Sequence, residues 1–225
     1  MLRSELLRAG EDFEKRVSER IDNAVKQMGL FQDVIEGRLS RLQLRTAAQR
    51  YYAEVRTFVD LKLPERLRLC PADALRARRF LAEIYAEEHG DFEPGRDHPA
   101  LWARFCHALG IGERELEEEY RIYSARFRYL REREPSRENL VTELATMAAW
   151  ESVVPRFERL PIESLRNRYG IAEEALEFFR VHQQADASHS RAALDVLSVY
   201  ADTPELRDHA LGVIEQTLDL EGYFA

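Results

Sequence analysis

Three side chains in the C-terminal part of the chain have the types and the spacing of a metal site. His182, Asp186 and His189 occupy positions i, i+4 and i+7 of a segment with helical periodicity. At about 100° per residue, these positions fall within roughly 60° of one another on one helix face. Imidazole and carboxylate are ligands that suit iron, manganese or zinc. The spacing therefore predicts a metal-binding helix face.

A solvated polar stripe is the alternative interpretation of the same pattern. Phe179, Ala193 and Leu197 fall close to the same face, which indicates that the stripe points at least partly inward. Burying several ionisable groups without partners costs several kcal/mol for each charged group. A divalent cation offsets that cost, so the apolar neighbours favour metal binding.

Two other segments contain residues of the same chemical types. Glu151 stands alone as a carboxylate in the apolar segment 149–155, where it could be a metal ligand or the partner of a buried arginine. Segment 86–90 ends a predicted helix, and His98 follows just after a loop, so both could reach a helical core. Glu87, Glu88, His89 and Asp91, the residue just after the segment, are all eligible as the acidic or imidazole ligand at this helix end.

The elements that must position these residues are predicted to be helices throughout, because apolar residues recur at helical spacing and no sustained alternation occurs. Residues 89–99 contain two glycines and two prolines and predict a loop, with Asp97 as the N-cap of the next helix. Pro64 is expected to end a helix, and Pro155 to kink one. One domain is expected over residues 1–225. The predicted helices cover about 5–28, 39–62, 72–88, 99–109, 113–134, 136 to beyond 151, 172–200 and from 203 onward.

Composition excludes several classes of protein. The formal net charge is −8, and arginines are interleaved with glutamates, which disfavours a nucleic-acid-binding protein. No apolar run of transmembrane length and no secretory signal core is found, so we expect no membrane association. Cys70 and Cys106 have no zinc-site spacing and are expected to be buried free thiols, which fits a cytoplasmic location.

Taken in order along the chain, these segments resemble the haem-oxygenase-like diiron oxidases. That family lies in a superfamily with thiaminase-type and pyrroloquinoline-quinone-synthase-type enzymes. The resemblance covers about Leu42 to Leu197. Its marks are Tyr51-Tyr52, Glu87-Glu88-His89-Gly90, His98 to Phe105, Leu109-Gly110, Glu151 to Pro155, and His182-x3-Asp186-x2-His189.

The resemblance implies an all-α bundle of seven to eight helices that binds two Fe²⁺ ions and no haem, with manganese possible at one position. The implied ligands are Glu88, His98, Glu151, His182, Asp186 and His189. The three carboxylates Glu88, Glu151 and Asp186 would also act in catalysis, because carboxylates can change between terminal and bridging modes. The partners expected are O₂ and a small substrate, often derived from an amino acid. A homodimer is compatible with the sequence.

Several alternatives stay open at this point. The branch with the nearest overall pattern resembles self-sacrificing para-aminobenzoate synthases, which consume one of their own tyrosines. The expected position of that tyrosine is Phe31, while Tyr51, Tyr52 and Tyr85 remain possible internal donors. A metal-free thiaminase-type enzyme would use Cys70 or Cys106 as nucleophile and Glu151 as general acid or base. A helical interaction protein without activity is a further hypothesis.

Overall fold

The structure is a computed structural model that describes the chain at residues 2–27, 29–133, 140–158 and 162–219. Side-chain surroundings are described within those ranges except at 2–11, 25, 27, 30–31, 133, 154–158 and 183–188. Every regular element in the described ranges is a helix, so the predicted all-α class is confirmed. The eleven α-helices there are α1 (Leu2–Gln27), α2 (Gly29–Ile35), α3 (Arg41–Thr57), α4 (Leu63–Leu69), α5 (Leu75–Glu88), α6 (His98–Ala108), α7 (Glu113–Arg133), α8 (Leu140–Glu158), α9 (Ile162–Asn167), α10 (Glu177–Tyr200) and α11 (Pro204–Leu218).

The helix predicted over 39–62 does not end at Pro64. It passes from α3 through one π-helical turn, Phe58–Lys62, into α4, and Pro64 lies in the first turn of α4. The Leu63 amide donates to the Phe58 carbonyl, five residues back. A proline is tolerated here because this wider turn relieves the clash that its ring makes in a regular helix.

The helix start next to His98 is the one that the sequence predicts. Asp97 caps α6, and its Oδ1 accepts a hydrogen bond from the Ala100 amide at 2.9 Å. Pro99 occupies the first turn, where no intrahelical N–H is needed. The loop over 89–97 contains only a short 3₁₀ turn, Gly90–Phe92. These features place Glu88 at the end of α5 and His98 at the start of α6.

One compact unit comprises residues 31–136 and 158–184. In it, α3 packs against α6 and α7. Its core contains the buried aromatic side chains of Trp102, Phe105, Phe178 and Phe179. The indole Nε1 of Trp102 donates to the carbonyl of Ala48 at 2.8 Å and ties α6 to α3. A buried N–H needs such a partner because its desolvation would otherwise be uncompensated.

The second compact unit comprises residues 1–30, 137–157 and 185–225. Here α1 packs against α11. Phe13, Val17 and Ile21, spaced four residues apart, are almost completely buried. Arg16 pairs with Asp208 at 3.1 Å at the edge of this packing. The single domain expected over residues 1–225 stays a prediction.

None of the helices in the described part of the chain has both the length and the hydropathy that crossing a bilayer requires.

Candidate metal centre

Three of the predicted ligands meet in the unit formed by residues 31–136 and 158–184. Glu88, His98 and His182, from α5, α6 and α10, each offer one ligand atom, and these atoms lie within 4.8 Å of one another. Ligand atoms about 2.0–2.2 Å from one shared metal ion lie at comparable separations. Two imidazole nitrogens and one carboxylate oxygen form a donor set that suits iron. The residues present therefore fit a bound cation.

Glu88 and His98 form a buried pair. His98 Nδ1 lies 2.7 Å from Glu88 Oε2, and the two side chains are 3% and 15% exposed. The imidazole nitrogen donates and the carboxylate accepts. Removing both groups from water is costly, and the short contact offsets part of that cost. A metal ion bound at the same atoms would take the place of the shared proton.

The ring of His182 is oriented by its own helix. Its Nδ1 lies 2.8 Å from the carbonyl oxygen of Phe178, one turn earlier in α10. A carbonyl oxygen only accepts hydrogen bonds, so Nδ1 carries the hydrogen and Nε2 keeps its lone pair. An imidazole that donates to a backbone carbonyl on one side and binds a metal on the other is a common arrangement.

Aromatic rings surround the two imidazoles. The ring centroids of His98 and His182 are 4.4 Å apart, and Phe178 lies 4.3 Å from His182. Trp102 packs edge-on against Phe178 at 4.7 Å. Phe178 and Trp102 are 1% and 7% exposed. This apolar layer keeps water away, and a low local dielectric strengthens the attraction between a cation and its ligands.

The connection between Glu88 and His98 has an unusual backbone. Gly90, Asp91 and Phe92 all have positive φ, at 59°, 53° and 63°. A Cβ on Gly90 would lie 2.4 Å from the backbone of Arg96, so only glycine fits. Non-glycine residues in the left-handed region cost about 1–3 kcal/mol each. The loop thus holds a strained conformation between two candidate ligands.

A second pair of predicted ligands lies in the other compact unit. His189 Nδ1 lies 3.7 Å from Glu151 Oε2, and the two side chains are 26% and 14% exposed. Ser190 Oγ donates to the main-chain carbonyl of Glu151 at 2.6 Å. The side chain of Asp186 lies outside the described residues. The complete set of six ligands therefore stays a prediction, with three members grouped in one unit and two in the other.

The choice among the eligible residues of segment 86–91 is now narrower. His89 Nδ1 donates to the Tyr85 carbonyl at 2.8 Å, and its ring packs on the Tyr85 ring at 4.1 Å. Glu88 is the acid whose oxygen reaches His98.

Sequence reasoning missed the contribution of Phe178, although its position four residues before His182 could have indicated the carbonyl contact.

The expected free thiols are found. Cys70 and Cys106 are buried and unbridged. Burial raises the pKa of both thiols, most strongly for Cys106. Cys106 Sγ lies 3.5 Å from the Ala48 carbonyl oxygen. A thiol that keeps its proton at neutral pH is a weak nucleophile, which argues against the thiaminase-type hypothesis.

Comparison with solved structures places this fold beside a TenA homologue from Pseudomonas syringae pv. tomato. The TM-score is 0.73, with 16% identity over 95% of this chain and 89% of that one. That likeness supports the haem-oxygenase-like helical architecture.

Curated relatives share more of the sequence. The 4-aminobenzoate synthase of Nitrosomonas europaea is 30% identical over 219 residues, which cover 89% of this chain and 86% of the relative. The 4-aminobenzoate synthase of Chlamydia trachomatis is 26% identical over 187 residues, covering 82% and 76%. The sequence model of a haem-oxygenase-like family described as iron-containing redox enzymes matches residues 45–222. Because the family model matches residues 45–222 and a 30% identical relative covers 89% of the chain, the protein belongs to this family of iron-containing redox enzymes.

Proposed function

We propose that this protein is an O₂-dependent non-haem oxygenase with a two-iron centre. The observation that carries the proposal is the cluster of Glu88, His98 and His182, whose ligand atoms lie within 4.8 Å of one another behind a layer of aromatic rings. Such a cluster in a member of an iron-containing redox family is suited to holding iron. Bound iron would supply the oxidising chemistry, while the chain supplies ligands, orientation and a dry pocket.

In this proposal, the first ion is held by the described cluster. The backbone contact of His182 keeps its Nε2 available, and the buried carboxylate of Glu88 compensates positive charge. The apolar rings around the imidazoles limit the entry of water, which protects reactive species from side reactions.

The second ion would be held by Glu151, Asp186 and His189. Support comes from the 3.7 Å approach of His189 to Glu151 and from the helical spacing of His189 and Asp186. Carboxylates at both positions would balance the charge of two divalent ions. Manganese could replace iron at one position because the same ligand types suit both metals.

The substrate class is proposed from the relatives. Both curated relatives described above are named 4-aminobenzoate synthase, so we propose formation of 4-aminobenzoate or a similarly small, amino-acid-derived product. The carbon source could be an internal tyrosine or a separate small molecule. Tyr51 is a candidate because it is partly exposed and packs edge-on against Trp102 at 4.7 Å. The side chain of Phe31 lies outside the described residues.

Metal analysis after anaerobic loading with Fe²⁺ tests the metal centre. The wild-type chain should retain close to two ions and consume O₂ after reduction. His182→Ala should lose iron, because it removes a ligand, whereas His107→Ala should retain it, because His107 is half-exposed and pairs with Glu113 at 3.4 Å. Equal iron retention by both variants would refute the centre.

Isotope labelling tests the origin of the product. Protein produced with ¹³C-tyrosine is loaded with iron, exposed to O₂, and its small-molecule fraction is examined by mass spectrometry. Labelled 4-aminobenzoate would support an internal tyrosine, and Tyr51→Phe should then reduce the yield if Tyr51 is the donor. Absence of 4-aminobenzoate from iron-loaded protein, with and without added amino acids, would contradict the proposed product.

A further inference from the structure

We propose that a surface groove beside α6 and α10 binds a zwitterionic α-amino acid. The groove has a volume of about 480 Å³, within the range of small-molecule sites. Its walls are charged and its floor is apolar. The residues that form it are Arg96, Leu101, Arg104, Glu173, Glu174, Glu177, Arg180 and Val181.

One wall is positively charged. Arg96 belongs to the loop before α6, and Arg104 lies two turns into that helix. Arg104 Nη2 donates to the carbonyl oxygen of Gly95, which fixes the guanidinium across the loop. A neutral carbonyl does not cancel the charge of Arg104. Arg96 pairs with Glu93 at 3.4 Å, so among the described residues the uncompensated positive charge on this wall is that of Arg104. A guanidinium binds a carboxylate through charge-assisted hydrogen bonds.

The opposite wall is negatively charged. Glu173 and Glu174 lie in the 3₁₀ turn before α10, and Glu177 opens that helix. Arg180 pairs with Glu173 and, at 3.4 Å, with Glu177. Arg166 also reaches Glu173, at 4.0 Å, so three carboxylates meet two guanidinium groups and this wall keeps an excess of one negative charge. That excess favours an ammonium group.

The two walls do not neutralise each other. Among the described residues, no ion pair within 4.0 Å joins Arg96 or Arg104 to a glutamate of the opposite wall. A ligand that carries a carboxylate at one end and an ammonium at the other would bridge the gap. An α-amino acid has this pair of charges, and complementary charges on both sides also select against ligands with only one.

The floor would contact the amino-acid side chain. Leu101 is 3% exposed, and Val181 is partly buried. Leu101 lies one helical turn after His98, and Val181 directly precedes His182, so the groove uses neighbouring positions of the helices that carry two candidate ligands. None of the groove residues belongs to the ligand set. The inference therefore goes beyond the proposed function and does not depend on it.

Calorimetric titration of the metal-free full-length protein tests the groove. The probes are L-phenylalanine and L-leucine, with N-acetyl-L-phenylalanine and L-phenylalanine amide as analogues that lack one charge. We expect saturable binding of a free amino acid and binding weaker by about tenfold for each analogue, since each loses a charged hydrogen bond. Arg104→Gln and Glu174→Gln should weaken binding similarly. Arg79→Gln, which changes an exposed arginine of α5 paired with Glu83, should leave it unchanged.

Three results would overturn the inference. The first is the lack of saturable binding by both free amino acids. The second is equal affinity for N-acetyl-L-phenylalanine, and the third is unchanged affinity in Arg104→Gln. Because metal-free protein is used, none of these results would bear on the iron centre. Conversely, a failure to bind iron would not affect the amino-acid affinity measured for the groove.

Discussion

Ser190 Oγ donates a hydrogen bond to the main-chain carbonyl oxygen of Glu151 at 2.6 Å. This contact joins α10 to α8 at the level where His189 approaches Glu151. Ser190 is not a metal ligand. Its hydroxyl instead links the two helices that carry these candidate ligands, so we infer that it is a positioning residue.

Removing this contact should weaken binding of the proposed second metal ion. Ser190→Ala is expected to lower affinity for that ion by about 10–100-fold, as for other groups that orient ligands. Ser190→Thr, which keeps the hydroxyl, should restore much of it. Competition with a chelator measures the affinity, independently of activity.

A matched control is available on the same helix. Ser198 Oγ is buried and has no hydrogen-bond partner among the described residues. Ser198→Ala removes a buried hydroxyl of α10 without removing a contact to α8, and metal affinity should be unchanged. If both alanine variants lower the metal affinity equally, the role of Ser190 is only structural.

Gly90→Ala should destabilise the loop between Glu88 and His98. The new Cβ would approach the Arg96 backbone to 2.4 Å at a positive φ of 59°. We expect a loss of at least about 1–3 kcal/mol in the free energy of unfolding, together with weaker iron binding. Urea denaturation and iron titration measure the two effects.

Gly110→Ala separates the effect of backbone strain at positive φ from the effect of the close approach to the Arg96 backbone. Gly110 also has positive φ, at 80°, but nothing lies within 4 Å of an added Cβ. Its substitution should cost only the backbone strain and should leave iron binding intact. Equal losses in both variants would show that the close approach to Arg96 contributes nothing.

Stability should fall at alkaline pH because of Cys106. Burial raises the pKa of this thiol above 9.0, its usual value. The stabilising contribution is complete below pH 9 and is lost as pH rises toward the folded-state pKa, because only the unfolded chain releases the proton. Between pH 9 and 10, Cys106→Ala should reduce the pH slope of the unfolding free energy by up to about 1.4 kcal/mol per pH unit. An unchanged slope would contradict this account.

Phe178→Ala should affect both stability and metal binding. The ring is 1% exposed and packs against both His182 and Trp102. Its removal should cost about 3–5 kcal/mol through the cavity left behind. It should also admit water beside the imidazoles and weaken iron binding. Phe92→Ala, at a side chain that is 65% exposed, should change neither stability nor iron binding by a comparable amount. Calorimetric unfolding and iron titration of the two variants measure these effects.

The sequence was most informative where local chemistry decides the structure. The Asp97 cap and Pro99 are sufficient to place His98 at the start of α6, because both act within one helical turn. The residue pattern alone could not single out Glu88 from its neighbours, and only the family resemblance pointed to it. Consecutive residues at a helix end differ in direction by about 100°, and which of them turns inward depends on what packs there. The continuation past Pro64 was missed because the sequence pattern does not reveal the π turn, Phe58–Lys62, that precedes the proline.

That π turn, Phe58–Lys62, sets which residues face each other along the helix. Lys62 Nζ lies 2.5 Å from Glu54 Oε1 although the two residues are eight positions apart. In a regular α-helix, two side chains eight positions apart point in directions that differ by about 80° around the helix axis. The one extra residue in the π turn reduces that angular difference to about 20°, so both side chains lie on nearly the same face. A homologue with a regular helix here must therefore be aligned with a one-residue deletion, and an ungapped alignment would assign the wrong counterpart to every residue of α4.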